Sequence, residues 1–162
     1  MDGTDGTLAD VRARRLALQA EEDAVSFVRR MAQGRMDLVQ DERRRRAAGA
    51  DAPDRSLAER LAEVFGQEHG GGSARPPRET NVPSGHPLMV QLDELCDEHG
   101  FAGLDALSDR ALSELDAALG MFEKECSRRR HELFESIDAL TAEIVRRVRE
   151  GGAGSVAGDA PR

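Results

Sequence analysis

The feature that most constrains the fold of this 162-residue chain is a pair of long segments without proline. Residues 8–48 and residues 108–149 lack proline and contain one glycine each, Gly34 and Gly120. Because proline breaks helices and glycine weakens them, both segments are predicted to form long, uninterrupted helices. The chain also has no Trp, no Tyr and only two Ile, so residues that favour strands are scarce. An all-α fold is therefore expected.

Apolar residues recur in both segments at the spacing of a coiled coil. In the second segment, intervals of three and four predominate, at Leu112, Leu115, Leu119, Phe122, Cys126, Leu133, Ile137, Leu140 and Ile144. In the first segment they repeat every seven residues, at Val11, Leu18, Val25, Ala32 and Val39. Such an apolar seam buries itself against a partner helix. We predict two long helices forming an antiparallel coiled-coil hairpin, with short helices in a flexible connecting segment; parallel or intermolecular pairing remains an alternative.

Composition divides the chain into a disordered tail, a long helix, a linker with short helices, a second long helix and a second disordered tail. The boundaries are predicted at residues 1–7, 8–49, 50–107, 108–150 and 151–162. Ser56 and Glu59 fit a capping box that opens a short helix, and Pro87 can open another. The first long helix is expected to end near Gly49 and the first short helix near Phe65. Ser108 can cap the second long helix, which is expected to end before Gly151. The glycines and prolines within residues 70–77 predict a flexible stretch.

The net charge of −8 by itself argues against a polyanionic partner, but the charge is unevenly distributed. Residues 8–48 carry 10 basic and 7 acidic side chains, and residues 108–149 carry 8 and 9. Most of the negative charge therefore lies in the linker and tails, and the helices are compatible with an anionic ligand. The chain has no apolar run typical of an export signal or membrane span. A cytoplasmic protein is expected, with Cys96 and Cys126 as reduced, structural thiols.

A polar motif occurs twice, once in each long segment, at an offset of 101 residues. The first motif copy consists of Glu22, Ser26, Arg29, Gln33 and Asp37. The second motif copy consists of Glu123, Ser127, Arg130, Phe134 and Asp138, so four of the five residues are identical. At about 100° per residue, each copy forms a stripe on one side of its helix, beside the apolar seam. The motif side chains are therefore expected to be partly desolvated, and either paired or binding a ligand.

The residue types of the motif suit a guanine nucleotide. A carboxylate accepts hydrogen bonds from the Watson–Crick edge of guanine, and Arg pairs with O6 and N7 or with a phosphate. Ser and Gln can donate to phosphate oxygens. Charged residues at helical spacings of three and four more commonly form solvated ladders of salt bridges. Recurrence of the polar residues in register favours binding, because a duplication kept for packing alone would preserve the apolar positions.

The first copy reads Glu-x3-Ser-x2-Arg-x3-Gln-x3-Asp, which resembles the signature of RsiG-type anti-sigma factors of actinobacteria, the aerial mycelium formation protein family. Residues 27–37 and 137–147 also resemble that family, and the resemblance covers roughly residues 8–49 and 105–150. It implies an antiparallel coiled coil that binds an intercalated cyclic-di-GMP dimer between the two copies. Members loaded in this way hold a sporulation or flagellar-type sigma factor away from RNA polymerase.

The resemblance also implies which residues contact the nucleotide. They are Glu22, Ser26, Arg29, Gln33, Asp37, Glu123, Ser127, Arg130 and Asp138. Phe134 departs from the pattern because it stands where the family has Gln and cannot form that hydrogen bond. It either stacks on a base or extends the apolar seam. The expected ligand is cyclic-di-GMP, as two molecules, and the expected partner is a sigma factor of the sporulation or flagellar type, with no direct DNA binding and no membrane.

Other patterns predict little chemistry. Cys96 and His99 have the spacing of metal ligands, but two ligands do not make a zinc site. No nucleophile–base pair is suggested, so we expect no metal, no catalytic residue and no enzyme. The run Arg43–Arg46 is interpreted as a solvated helix end favoured by the helix dipole. A ligand-independent coiled-coil adaptor and a nucleic-acid-binding hairpin remain alternatives, although few aromatic residues are present to stack on bases.

Overall fold

The computed structural model describes residues 6–68 and 85–156. Four α-helices and a short 3-10 helix follow one another along the chain. They are α1 (Leu8–Ala47), α2 (Leu57–Glu68), α3 (Pro87–Glu98), the 3-10 helix (Phe101–Ala106) and α4 (Asp109–Val156). The described residues form no strand, so the all-α prediction is confirmed. Within the same residues, no helix is both long enough and apolar enough to cross a membrane.

The local signals for helix ends are confirmed. Gly49 follows the end of α1 with a φ of +63°, a conformation that glycine adopts without strain. The hydroxyl of Ser56 accepts a hydrogen bond from the Glu59 N–H at 3.2 Å, and the Glu59 carboxylate accepts one from the Ser56 N–H at 2.8 Å. Pro87 opens α3, and the Ser108 hydroxyl caps α4 by accepting a backbone N–H at 3.1 Å.

Other helix ends differ from the prediction. Helix α4 continues to Val156 and α2 to Glu68, past the positions where glycine was expected to end the first and Phe65 the second. The N-terminus of α1 has a cap that was not predicted, since the Thr7 N–H donates to the Asp10 carboxylate at 2.7 Å. The flexible stretch predicted at residues 70–77 lies outside the described residues.

The chain divides into two compact units, and α1 and α4 contribute to both. The central unit comprises residues Ala24–Arg128. The terminal unit comprises Met1–Asp23 and Arg129–Arg162. Each unit is described separately below.

In the central unit, α1 and α4 run antiparallel. Arg43 donates to Asp116 at 2.8 Å, and Arg46, further along α1, donates to Asp109, earlier in α4, at 2.9 Å. The buried core contributed by these two helices includes Val25, Val28, Ala32, Leu38, Val39, Leu112, Leu115, Leu119 and Cys126. The predicted seam residues of this unit are therefore buried or half-buried, and Val28 and Leu38 extend the buried surface beyond the seam.

The connecting segment supplies the other side of this core. Leu88, Leu92, Cys96, Phe101 and Leu104 are all buried. Arg35 of α1 binds α3, because it donates to the Asp93 carboxylate at 2.8 Å and to the Cys96 sulfur at 3.2 Å. Helix α2 lies against Gly34, where an added Cβ atom would come within 2.9 Å of the Phe65 ring. The short helices are thus docked on α1, which the prediction of a linker did not anticipate.

The interpretation of Arg43–Arg46 as a solvated run is wrong for Arg45 and Arg46, which are half-buried. Arg45 and Arg46 both donate to Glu42, whose side chain has 0% of its surface exposed. The hydrogen bonds from Arg45, and then those from Arg46, hold the pKa of the Glu42 carboxyl below its usual value in spite of its burial. Arg43 and Arg46 also bind α4. The side chains of Arg43 and Arg44 are 48% and 71% exposed and fit the solvated interpretation, although Arg43 also pairs with Asp116.

The terminal unit contains α1 and α4 alone, again antiparallel. Arg129 donates to Glu21 at 2.6 Å, and Arg147, later in α4, donates to the carbonyl of Gly6, earlier in the chain. Among the described residues of this unit, only Val11 and Ile137 are buried. The other predicted seam residues here are half-buried, namely Leu18, Leu133, Leu140 and Ile144. This unit therefore buries much less apolar surface than a multi-helix core.

Candidate functional site

Residues of the two motif copies form two clusters between α1 and α4, one in each unit. The central cluster consists of Arg29, Gln33, Glu123 and Ser127. The terminal cluster consists of Glu22, Arg130 and Phe134. Each cluster pairs the Glu of one copy with the Arg of the other copy. This exchange follows from the antiparallel direction of the two helices.

In the central cluster, one oxygen of Glu123 is the shared acceptor. Its Oε1 atom accepts from Arg29 Nε at 2.8 Å, from Gln33 Nε2 at 3.2 Å and from the Ser127 hydroxyl at 3.0 Å. Arg29 Nε also lies 2.8 Å from the Ser127 oxygen. The Arg29 and Glu123 side chains are 27% and 18% exposed, so the pair is largely shielded from water but still accessible.

The central cluster leaves both donors and an acceptor without protein partners. Within the described part of the chain, no acceptor pairs with the terminal nitrogens Nη1 and Nη2 of Arg29. In the same residues, no donor reaches Oε2 of Glu123. An Arg fork and a carboxylate oxygen are the groups that recognise the edges of guanine. Because Nε of Arg29 is held by Glu123, the orientation of its fork is restricted before any ligand arrives.

In the terminal cluster, Arg130 has two different neighbours. Its Nε atom donates to Glu22 Oε1 at 3.0 Å, and its Cζ atom lies 5.3 Å from the centre of the Phe134 ring. The Arg130 and Glu22 side chains are 27% and 14% exposed. The terminal nitrogens of Arg130 have no hydrogen-bond acceptor among the described residues. This cluster therefore also presents an Arg fork, beside an aromatic ring instead of an amide.

The remaining predicted site residues lie at the margins of these clusters. Ser26 is half-buried on α1, whereas Asp37 on α1 and Asp138 on α4 are exposed. Asp138 lines a shallow groove on the exposed face of α4 together with Thr141 and Val145. Six of the nine predicted contact residues thus form hydrogen bonds within a cluster. They are Glu22, Arg29, Gln33, Glu123, Ser127 and Arg130.

The clusters differ from the solvated ladders that the sequence also allowed. Such ladders do occur on α4, where Arg146 pairs with Glu143 and Glu150 within one helix. The hydrogen bonds from Arg146 and Arg147 lower the pKa of Glu143 to about 2. The motif pairs instead join two helices and are less exposed. The offset of 101 residues identified the motif, but only the hairpin register shows which Arg meets which Glu.

Arg35 was not singled out from the sequence, although it lies two residues after Gln33 and ties α3 to the same helix. Its Cζ atom lies 5.9 Å from the centre of the Phe101 ring, and its side chain is only 11% exposed. No local signal marks this residue, because its partners are about 60 positions away in the chain.

Comparison with protein families supports the resemblance over the first part of the chain. The model of the family described as RsiG-like matches residues 2–65. The match contains the whole first motif copy and α1, and it continues to Phe65 of α2, past residue 49 where the resemblance was expected to end. The second motif copy lies beyond it. No curated protein matches the chain. Residues 2–65 of the chain are therefore similar to the RsiG-like family.

Proposed function

We propose that the protein is an anti-sigma factor that binds cyclic-di-GMP through the two motif clusters. When loaded, it would hold a sigma factor of the sporulation or flagellar type away from RNA polymerase in the cytoplasm. The RsiG-like match supports the coarser part of this proposal, a regulator that acts on a sigma factor. The proposed binding of cyclic-di-GMP is supported by the central cluster. There, the fork of Arg29 and one oxygen of Glu123 have no partner among the described residues.

The chemistry of the clusters fits cyclic-di-GMP better than a generic anion. Each fork can bind O6 and N7 of a guanine, and Oε2 of Glu123 can accept the N–H groups of the Watson–Crick edge. A phosphate alone would be repelled by that carboxylate. Two molecules of cyclic-di-GMP would offer several guanines to the two clusters. The exposed Asp37 and Asp138 are additional acceptors for N–H groups of the bases.

The nucleotide can act as a switch only if the sigma-bound state binds it more tightly than the free protein does. A ligand held at these partly exposed clusters would leave part of its surface for a partner to cover, and that covering would supply the difference in affinity. The partner would then contact protein and nucleotide together. Removing the nucleotide would release the sigma factor.

A ligand-independent coiled-coil adaptor is the second candidate function. It is favoured by one observation, since the motif Glu and Arg side chains already neutralise each other between the helices. In that case the clusters only stabilise the hairpin. The adaptor would bind its partner equally well with and without nucleotide, and cyclic-di-GMP would leave the melting midpoint unchanged.

The proposal is tested by removing one guanidinium. Arg29→Ala should abolish cyclic-di-GMP binding in calorimetry and leave the far-ultraviolet circular dichroism spectrum intact. Arg110→Ala is the matched control, because Arg110 also lies on a long helix and pairs with Glu114 but is 89% exposed and outside the motif. Wild-type protein should melt at a midpoint that rises with ligand concentration. Unchanged affinity in both Arg29→Ala and Arg130→Ala would contradict the proposal.

A further inference from the structure

Phe134 occupies the position in the second motif copy that Gln33 occupies in the first. Phe134 is 43% exposed, whereas Phe101 is buried. The other three phenylalanines are half-buried, namely Phe27, Phe65 and Phe122. The most exposed phenylalanine of the chain therefore lies within the motif, beside one of its arginines.

Phe134 does not extend the apolar seam. The seam on this part of α4 is formed by Leu133, which is half-buried, and by Ile137, which is 9% exposed. At about 100° per residue, Phe134 lies about 100° from Leu133 and about 60° from Ile137, so it borders the seam without being part of it. Its surroundings are instead those of the terminal cluster, with the Arg130 guanidinium 5.3 Å from the ring centre. That distance is within the range of a cation–π interaction, which restrains both side chains.

We infer that the terminal cluster holds a purine base by stacking on the Phe134 ring, whereas the central cluster holds a base through hydrogen bonds. This inference rests on the proposed function and concerns how the same ligand is held. A phenyl ring offers a base only its face, which is the mode of binding used by aromatic residues that stack on nucleic acid bases. The neighbouring fork of Arg130 remains available for the edge or the phosphate of that nucleotide.

The two clusters would then contribute differently to recognition. Stacking tolerates any base, because every base has a π face. Selection of guanine would therefore depend mainly on the central cluster, where Gln33 and Ser127 position the Glu123 carboxylate. Phe134 would contribute affinity with little selectivity for the base.

The chain contains no Trp and no Tyr, so a single introduced Trp reports on its own surroundings. In the variant F134W, titration with cyclic-di-GMP should quench the indole emission, with the same midpoint that calorimetry gives. The matched control is V148W, because Val148 is 48% exposed on the same helix and lies outside the motif. Its emission should not respond to the ligand.

The variant F134L removes the ring and keeps an apolar, helix-forming side chain. We expect it to bind cyclic-di-GMP about 5- to 150-fold more weakly than the wild type, the range expected for loss of one stacked base, with an unchanged melting midpoint in the absence of ligand. If wild-type protein binds the ligand but F134W is not quenched and F134L keeps its affinity within about twofold, only the stacking inference is overturned. If wild-type protein does not bind cyclic-di-GMP, the proposed function fails with it.

Discussion

Glu42 is a carboxylate with 0% of its surface exposed, placed near the end of α1. Its charge is balanced by Arg45 and Arg46, whose side chains are 22% and 23% exposed. Replacement by Ala would leave two guanidinium groups partly buried without their common acceptor. We expect Glu42→Ala to lower the free energy of unfolding by about 2–3 kcal/mol, as measured by urea denaturation at pH 7.

Glu114→Ala serves as the control for this variant, since Glu114 pairs with Arg110 but is 56% exposed. Its effect should stay within about 0.5 kcal/mol, as is typical of surface pairs. Equal effects of the two substitutions would show that burial adds nothing to the Glu42 pairs.

The lowered pKa of Glu42 also predicts a dependence on pH. A carboxyl whose pKa is lower in the folded state stabilises the fold above its unfolded pKa, and this contribution is lost as the pH falls through the folded value. The loss of stability in Glu42→Gln should therefore be larger at pH 7 than at a pH well below the ordinary value for a Glu carboxyl, where the wild-type side chain is increasingly protonated as well. Urea denaturation of both proteins at the two pH values would measure the difference. An equal loss of stability in Glu42→Gln at both pH values would contradict this prediction.

The two long helices contain one glycine each, and their surroundings predict opposite effects of substitution. An added Cβ at Gly34 would lie 2.9 Å from the Phe65 ring of α2, whereas at Gly120 the nearest atom is the Met36 methyl at 3.9 Å. Ala in place of a helical Gly stabilises by about 0.5–1 kcal/mol where space allows. We expect Gly120→Ala to raise the free energy of unfolding by that amount and Gly34→Ala to lower it.

Denaturant unfolding of both variants tests this pair directly. In the double variant Gly34→Ala, Phe65→Leu, a smaller side chain replaces the ring. This variant should recover part of the free energy of unfolding lost in Gly34→Ala, because the clash is with Phe65. If Gly34→Ala raised the free energy of unfolding as much as Gly120→Ala, the Phe65 ring of α2 would have to accommodate the added Cβ without cost, which would contradict the prediction.

The elements themselves were predictable from local signals. Absence of proline marked α1 and α4, and Gly49 and Ser108 marked where the first ends and the second begins. Docking of α2 and α3 was not predictable, since it depends on contacts such as Gly34 with Phe65 that join distant parts of the chain. The motif was likewise evident as a repeat, whereas the pairing of Arg29 with Glu123 required the hairpin register.

At the scale of the whole molecule, the two units differ in how much apolar surface they bury. The terminal unit has Val11 and Ile137 as its buried residues among those described, whereas the central unit has a core built from four elements. Local opening requires less free energy where fewer apolar contacts are broken. Amide hydrogen exchange should therefore be faster for residues 8–23 and 129–151 than for residues 24–47 and 109–128.

Peptide-level exchange measured by mass spectrometry would check this difference within the same two helices. If cyclic-di-GMP binds as proposed, exchange in the terminal unit should slow on its addition, because the ligand contacts Arg130 and Phe134. Uniform exchange along both helices in the free protein would contradict the expected difference.

The antiparallel pairing also has a kinetic consequence. Arg46 and Asp109 are 63 positions apart in the chain, whereas Glu22 and Arg130 are separated by 108 and Gly6 and Arg147 by 141. The entropy lost in closing a loop grows with its length, and the innermost contacts also bury more apolar surface. Refolding should therefore begin with contacts such as that of Arg46 with Asp109 and end with that of Gly6 with Arg147, because each new contact then closes only a short extra loop.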